Sequence, residues 1–165
     1  SDLSYIEAGF PASCTNPKTC NQAEWIEDAK RNRTTYTYHP ESGQVASITY
    51  PANKRGYRAQ TRFKYEQKYA KYYVAPGNKV QSTDPIWLKT EESYCTDGNT
   101  TSDGSCAQND KVLTAYEYNN DNLLMTGMTV TSQKDGKTLR TCYQYDIYGN
   151  RIGETQPKAN LSSCN

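Results

Sequence analysis

The chain has 165 residues, with 19 Lys and Arg against 18 Asp and Glu and a formal net charge of +1. That length suits one domain, and the near-neutral balance gives no electrostatic reason to expect nucleic acid or an anionic membrane as partner. Leu, Ile, Val and Phe number only 20, whereas Tyr supplies 15 and Thr 19. This excludes a helical bundle and a coiled coil, and the short apolar runs fall far below the roughly 20 residues of a membrane-spanning helix. Tyr and Thr favour pleated, half-buried surfaces, so an all-β, tyrosine-rich chain with a thin core is expected.

The chain opens Ser1-Asp2-Leu3, with no initiator Met and no basic stretch leading into an apolar run. A mature or excised segment of a longer protein, with no signal peptide, is therefore expected. Residues 1–22 are read as an N-terminal covering segment. Gln22 to Arg31 has the composition of a short helix, but the order from Trp25 to Asn32, running directly into a tyrosine strand, favours strand, turn, strand. Period-2 alternation is clearest in Thr35-Tyr36-Thr37-Tyr38, with both rings on one face. It recurs at Phe63-Lys64-Tyr65, Tyr116-Glu117-Tyr118 and Tyr143-Gln144-Tyr145. The first aromatics are spaced by 27, 53 and 27 residues, a degenerate repeat of about 27 whose missing unit falls near Ile86-Trp87-Leu88.

Turns rich in Asp, Asn and Gly follow the tyrosine pairs, near 39–43, 119–122 and 146–149, with another at 134–136. Second strands then begin at Val45 and Arg151 and are expected to end at Pro51 and Pro157. A strand is expected near 69–75, with irregular chain after Pro76-Gly77-Asn78. The region 23–157 is read as one antiparallel β-hairpin meander, a curved open sheet, followed by a tail at 158–165.

The six cysteines fall into three neighbouring groups, which suggests Cys14 with Cys20, Cys95 with Cys106 and Cys142 with Cys164. Cys95 and Cys106 bracket a polar stretch with no core of its own, within a loop of 91–110 that a staple would hold. Disulfides imply an oxidising compartment. A zinc site is poorly supported, because no Cys-x-x-Cys exists and His39 is the only His. The Asn-x-Ser/Thr triplets at Asn32, Asn99 and Asn160 match no more than chance in a chain so rich in Asn and Thr.

Tyr143-x-Tyr145-Asp146-x-x-Gly149-Asn150-Arg151, then Thr155-x-Pro157, resembles the YD-repeat unit of RHS-repeat proteins. Tyr36 to Pro51 fits the same pattern, with Gly43 late in the turn and His39 at the usual Asp position. Asp28-Ala29-Lys30-Arg31-Asn32 resembles another such turn, with Arg31 where Gly is usual. The units at 63 and 116 are weaker. The resemblance implies a secreted or cell-surface bacterial protein whose hairpins stack into a shell around another polypeptide, as in toxin delivery. The family's self-cleaving motif has no counterpart here, so the chain looks like a piece of wall.

No Ser-His-Asp set can be built around His39, and no phosphate-binding loop occurs, so the chain is expected not to be an enzyme and to need no cofactor or metal. Glu91, Glu92, Asp97, Asp103 and Asp110 make a calcium site conceivable, although a solvated loop fits them better. The basic run Lys54-Arg55-Gly56-Tyr57-Arg58, with Arg62 and Lys64, interleaves charge and aromatics as a nucleic-acid surface can, but the near-neutral net charge favours a solvated strand face. Two functions compete. One is a structural wall segment whose partners are neighbouring repeats or an enclosed polypeptide, with self-association through open sheet edges or an edge covered by residues 1–22. The other is an extracellular carbohydrate-binding or adhesion module using exposed Tyr and Trp, with Trp25 and Trp87 as stacking candidates.

Overall fold

The computed structural model describes residues 5–159 and 161–164. Residues 1–4 of the expected covering segment, and Asn160 and Asn165 of the expected tail, lie outside the described residues. Among those described there is no helix; thirteen strands carry the fold. They are β1 Glu7–Gly9, β2 Trp25–Glu27, β3 Arg33–Tyr38, β4 Val45–Ala52, β5 Arg58–Lys68, β6 Lys71–Ala75, β7 Asn78–Gln81, β8 Ile86–Cys95, β9 Lys111–Tyr118, β10 Met125–Ser132, β11 Thr138–Tyr145, β12 Arg151–Glu154 and β13 Lys158–Ala159.

The chain divides into two units, one of Ser1–Phe63 and Ser93–Lys111, the other of Lys64–Glu92 and Val112–Asn165. In the first, β1, β2, β3, β4 and β5 are hydrogen-bonded neighbours in that order. In the second, the end of β5 is followed by β8, β9, β10, β11 and β12, and β13 also pairs with β11. A separate hairpin, β6 with β7, belongs to the second unit. The pairings are antiparallel.

The two units share one register. In the first, Tyr36 faces Ile48, Thr37 faces Ser47, and Tyr38 faces Val45 after a one-residue bulge. In the second, Tyr116 faces Met128, Glu117 faces Gly127, and Tyr118 faces Met125 after the same bulge. Every partner is displaced by 80 positions. The next pairing obeys the same shift: Ser47 with Arg62 and Ile48 with Thr61 become Gly127 with Cys142 and Met128 with Thr141. A period-2 side-chain pattern fixes register this tightly only where one face is specified by its contacts.

Little of the chain is buried. Among the described residues the only buried hydrophobic ones are Cys95, Cys106 and Cys142, and all six cysteines are bridged, Cys14–Cys20, Cys95–Cys106 and Cys142–Cys164. Cys142–Cys164 lies over Gly127, where an added Cβ would stand 2.6 Å from the Cys164 sulfur. The equivalent residue in the first unit is Ser47, whose hydroxyl instead meets that of Thr37 at 2.7 Å.

Three sequence expectations need correction. β4 continues through Pro51 to Ala52, with its register to β5 broken between Thr49 and Ala52, so Pro51 is absorbed at an irregularity rather than ending the strand. The chain after Pro76 is not irregular, since Asn78–Gln81 pairs back on β6. Lys54, Arg55 and Gly56 are not strand residues but the tip of a turn.

That turn belongs to a set. In Asp28–Asn32, Asn53–Tyr57 and Asp146–Asn150 the first residue's backbone N–H donates to the fifth residue's carbonyl, at 3.2, 2.8 and 3.0 Å. Its side-chain oxygen accepts from the third and fifth N–H groups, as Asp146 does from Tyr148 and Asn150, both at 2.9 Å. The fourth residue has φ of 67° at Arg31, 81° at Gly56 and 84° at Gly149. Glycine adopts that conformation without a Cβ clash, and arginine does not. Arg31→Gly is therefore expected to stabilise the protein by up to about 1 kcal/mol, because the Glu27 ion pair it gives up is mostly solvent-exposed at the arginine. Gly149→Ala is expected to cost about 1 kcal/mol although the site has room for a methyl. Denaturant midpoints at unchanged m-value check both.

Candidate functional site

The structural feature that recurs most faithfully is the second tyrosine of each pair with the turn after it. The Tyr38 hydroxyl donates to the Ala23 carbonyl at 2.6 Å, Tyr118 to Lys89 at 2.6 Å and Tyr145 to Met125 at 2.8 Å. Lys89 and Met125 lie on neighbouring strands and Ala23 just ahead of β2, so a tyrosine reaches these oxygens only by lying across the sheet. Each ring thus covers a neighbouring strand while its hydroxyl is satisfied, which a half-buried phenol requires. Burial pushes the Tyr38 and Tyr118 hydroxyls up, so they remain donors at any physiological pH.

The turns after Tyr38 and Tyr118 are six residues long and again equivalent. His39 N–H donates to the Gln44 carbonyl, and Asn119 N–H to that of Leu124, at 2.7 and 2.8 Å. The Asn119 side chain accepts from the Asp121 and Asn122 N–H groups. His39 Nδ1 accepts from Ser42, the counterpart of Asn122, at 3.2 Å. His39 therefore serves as a turn acceptor in place of Asp or Asn. The fifth residues, Gly43 and Leu123, have φ of 75° and 60°.

Each of these turns is gripped by another part of its own unit. Asn16 donates to the Pro40 carbonyl at 2.8 Å, Gln22 to that of Gly43 at 2.6 Å, and Lys18 to that of Glu41. The Cys14–Cys20 loop is thereby fixed on the turn at 39–44, while β1 pairs along β2. In the second unit the β6–β7 hairpin does the equivalent: Lys71 N–H donates to the Asp121 carbonyl at 2.7 Å, and the Lys71 and Lys79 ammonium groups pair with its carboxylate.

The remaining aromatic repeat positions are half-buried. Tyr116 donates to Glu92 at 3.1 Å, with the Lys89 ammonium 4.7 Å from its ring centre. Arg151 lies 5.1 Å over Tyr143. Phe63 and Tyr65 are half-buried on β5. Neither tryptophan is an exposed platform. The Trp25 ring holds the Arg33 guanidinium at 3.9 Å and fills the space over Gly9, where a Cβ would fall 2.0 Å from its Nε1; Trp87 is half-buried. The aromatics that do face solvent include Tyr5, Phe10, Tyr72, Tyr73 and Tyr148; of these, sequence reasoning had set only Tyr72 and Tyr73 apart as a possible binding surface.

Charged groups are likewise employed in holding loops. Glu27 is buried between Arg33, at 2.9 Å, and Arg31. In the disulfide-closed loop, Asp103 accepts from the Thr101 hydroxyl and from Ser105, which hold its carboxyl down at about 2. A polar cleft of about 340 Å³ in the second unit lies along Tyr116, Glu117 and Tyr118, with Glu66 and Asn120 at its rim. In the first unit a cleft of about 280 Å³ lies along Tyr36, Thr37 and Tyr38, with Glu24 and Pro40 at its rim. No family model matches the chain, and no curated protein matches it either.

Two expectations follow. Tyr145→Phe leaves the Met125 carbonyl without its donor and should cost about 1 kcal/mol, whereas Tyr145→Ala also removes the ring and should cost about 2–4 kcal/mol. A Phe variant as damaging as the Ala variant would show that the hydroxyl, not the ring, dominates. Acid sensitivity follows from the turn carboxylates. Asn32 and Asn150, through their side chains first, hold Asp28 and Asp146 below the ordinary carboxylate range. Their folded pKa values are depressed, so the stability they contribute is present above the unfolded value near 4 and is lost as pH falls through the folded values. Carbon-13 titration of these carboxyls, alongside melting curves between about pH 5 and 2, checks the direction.

Proposed function

We propose that the chain is a wall segment of a YD-repeat shell, a secreted or cell-surface structural element that encloses or displays another polypeptide. The observation that carries this reading is the register shared under a shift of 80 residues, with its bulge, its turn and its tyrosine-to-carbonyl bond in the same places. A repeat built this way stacks on its neighbours rather than folding around a core of its own. Three disulfides suit the oxidising surroundings of an extracellular wall. Apolar residues stand exposed beside both outermost strands: Tyr5, Ile6 and Phe10 flank β1, and Ile147, Tyr148 and Ile152 accompany β12. Further repeats or an enclosed chain would cover them.

The second reading, a carbohydrate-binding or adhesion module, draws on the exposed Tyr72 and Tyr73 of the β6–β7 hairpin, at 55% and 64% exposure. It loses force at the tryptophans, whose surfaces are partly occupied. Sedimentation over a concentration range separates the two. A wall segment is expected to self-associate through β1 or β12, and charged substitutions at Ile147 and Ile152 should reverse this. A monomer indifferent to those substitutions counts against the wall. Imaging of the parent polypeptide, with this segment outside any closed β-shell, would overturn the reading.

A further inference from the structure

The turn Asn53–Tyr57 links β4 to β5, and the turn Asp28–Asn32 links β2 to β3. β2, β3, β4 and β5 are antiparallel neighbours in that order. Both turns therefore fall at the same end of the strands, two strand spacings or about 9–10 Å apart. The Arg58 guanidinium ties them together: it donates to the Tyr50 carbonyl at 3.1 Å and, across β4, to the Arg33 carbonyl at 3.0 Å.

This end of the first unit presents Lys30, Arg31, Arg33, Lys54, Arg55 and Arg58, all exposed. Between residues 29 and 62 the chain has seven basic residues and one acidic one, Glu41. Glu41 belongs to the turn at 39–44, at the opposite end of the hairpin. In a chain with a net charge of only +1, the cations are thus segregated rather than in excess.

The acids near the two turns do not cancel this charge. Arg31 and Arg33 share the buried Glu27 carboxylate. Asp28 accepts from the Lys30 and Asn32 N–H groups of its own turn. The disulfide loop comes up beside them, with Gly98 against Asn53, but its acids bond within the loop. Asp97 accepts from the Asn99 N–H at 2.7 Å, and Asp110, 5% exposed, accepts from the Thr96 hydroxyl at 2.5 Å. Lys54, Arg55 and Arg58 pair with no carboxylate among the described residues.

A row of like charges repels itself, which opposes folding and favours an anionic partner. Spread over two neighbouring turns, the row suits an extended polyanion, whose successive charges engage first one turn and then the next and whose counterions are released on binding. Single-stranded nucleic acid is held by a succession of stacking rings along such a track. Here one ring, Tyr50 at 41% exposure, stands on β4 between the turns. Acidic polysaccharides are the extended polyanions of cell surfaces, so a partner of that class rests on the extracellular setting proposed above, though not on the wall itself.

We propose that the paired turns of the first unit form a docking edge for an acidic polysaccharide, a sugar chain bearing carboxylate or sulfate groups. Lys30, Lys54, Arg55 and Arg58 engage the acid groups, and Tyr50 offers its ring to a sugar face.

The test uses the full chain with its disulfides intact and heparin, a polysaccharide dense in sulfate and carboxylate, as the probe. Titrated into the nitrogen-15 labelled protein at low salt, heparin should move the amides of residues 29–33 and 53–58. Raising the salt from about 50 to 200 mM should weaken binding at least tenfold. Lys54→Glu with Arg55→Glu, at the tip of a turn held by Asn53 and backbone bonds, should weaken it by about tenfold or more with Tm unchanged. Lys134→Glu with Lys137→Glu, on a turn of the second unit, should leave it as it was. Equal losses in the two double variants, shifts scattered over lysines elsewhere, or no binding at low salt would overturn the site. A single-stranded oligodeoxynucleotide that binds this edge more tightly than heparin would overturn the polysaccharide assignment. Heparin binding by a protein that stays monomeric supports this edge and counts against the wall alone; self-association without heparin binding does the reverse.

Discussion

The fold depends on the bond from a tyrosine hydroxyl to a backbone carbonyl on a neighbouring strand or on the chain leading into one. With so few aliphatic residues, burial of apolar surface cannot by itself offset the conformational entropy of ordering 165 residues. Each tyrosine contributes twice, once by laying its ring over a neighbouring strand and once by satisfying a carbonyl with its hydroxyl. Because Tyr38, Tyr118 and Tyr145 make that bond at the same place relative to a bulge and a turn, the geometry of one corner is propagated to the others. The bulge increases local twist and directs the second tyrosine toward the earlier strand.

Around that common corner the two units differ where each has its own attachment. Thr37 with Ser47 becomes Glu117 with Gly127. The second pair makes room for Cys164, while Glu117 takes Arg140 as an ion partner. The grip on the six-residue turn is made by a disulfide loop in one unit and by a hairpin in the other, yet each places a lysine against the third residue of the turn, Glu41 or Asp121. Different chain segments meet the same need, a partner for polar groups at a turn that no further layer covers.

Much of this was legible in the sequence. Alternation at Tyr36 and Tyr38, or at Tyr143 and Tyr145, can only be a strand with one aromatic face, and Asp146 with Gly149 states its turn chemistry openly. The strand-turn-strand order at Trp25–Asn32 was readable for the same reason, even with Arg31 in a glycine's conformation. The turn at Asn53–Tyr57 was hidden because Lys54 and Arg55 dominate the eye as charge, while its signal is an Asn three residues before a Gly. β7 was missed because Asn78-Lys79-Val80-Gln81 has little strand propensity and is held by pairing with β6 and by the bond of Lys79 to Asp121. The tryptophans looked like stacking surfaces because sequence cannot show that Arg33 and Gly9 already engage one of them. Nothing in the order of Glu91, Glu92, Asp97, Asp103 and Asp110 distinguishes the buried carboxylate from the solvated ones; only the path of the loop does.

The bridges close loops of just 6, 11 and 22 positions, and each closes within one unit. Under tension they therefore act as local knots rather than as a harness. A pulling force applied to the ends would find no covalent tie between distant strands. Hairpins would open one after another, and only the short bridged loops would be withheld from the extending thread. A polypeptide arranged in this way can be drawn through a narrow channel with its bridges unformed and can oxidise each pair as it emerges, because no cysteine has to wait for a partner from the far end of the chain.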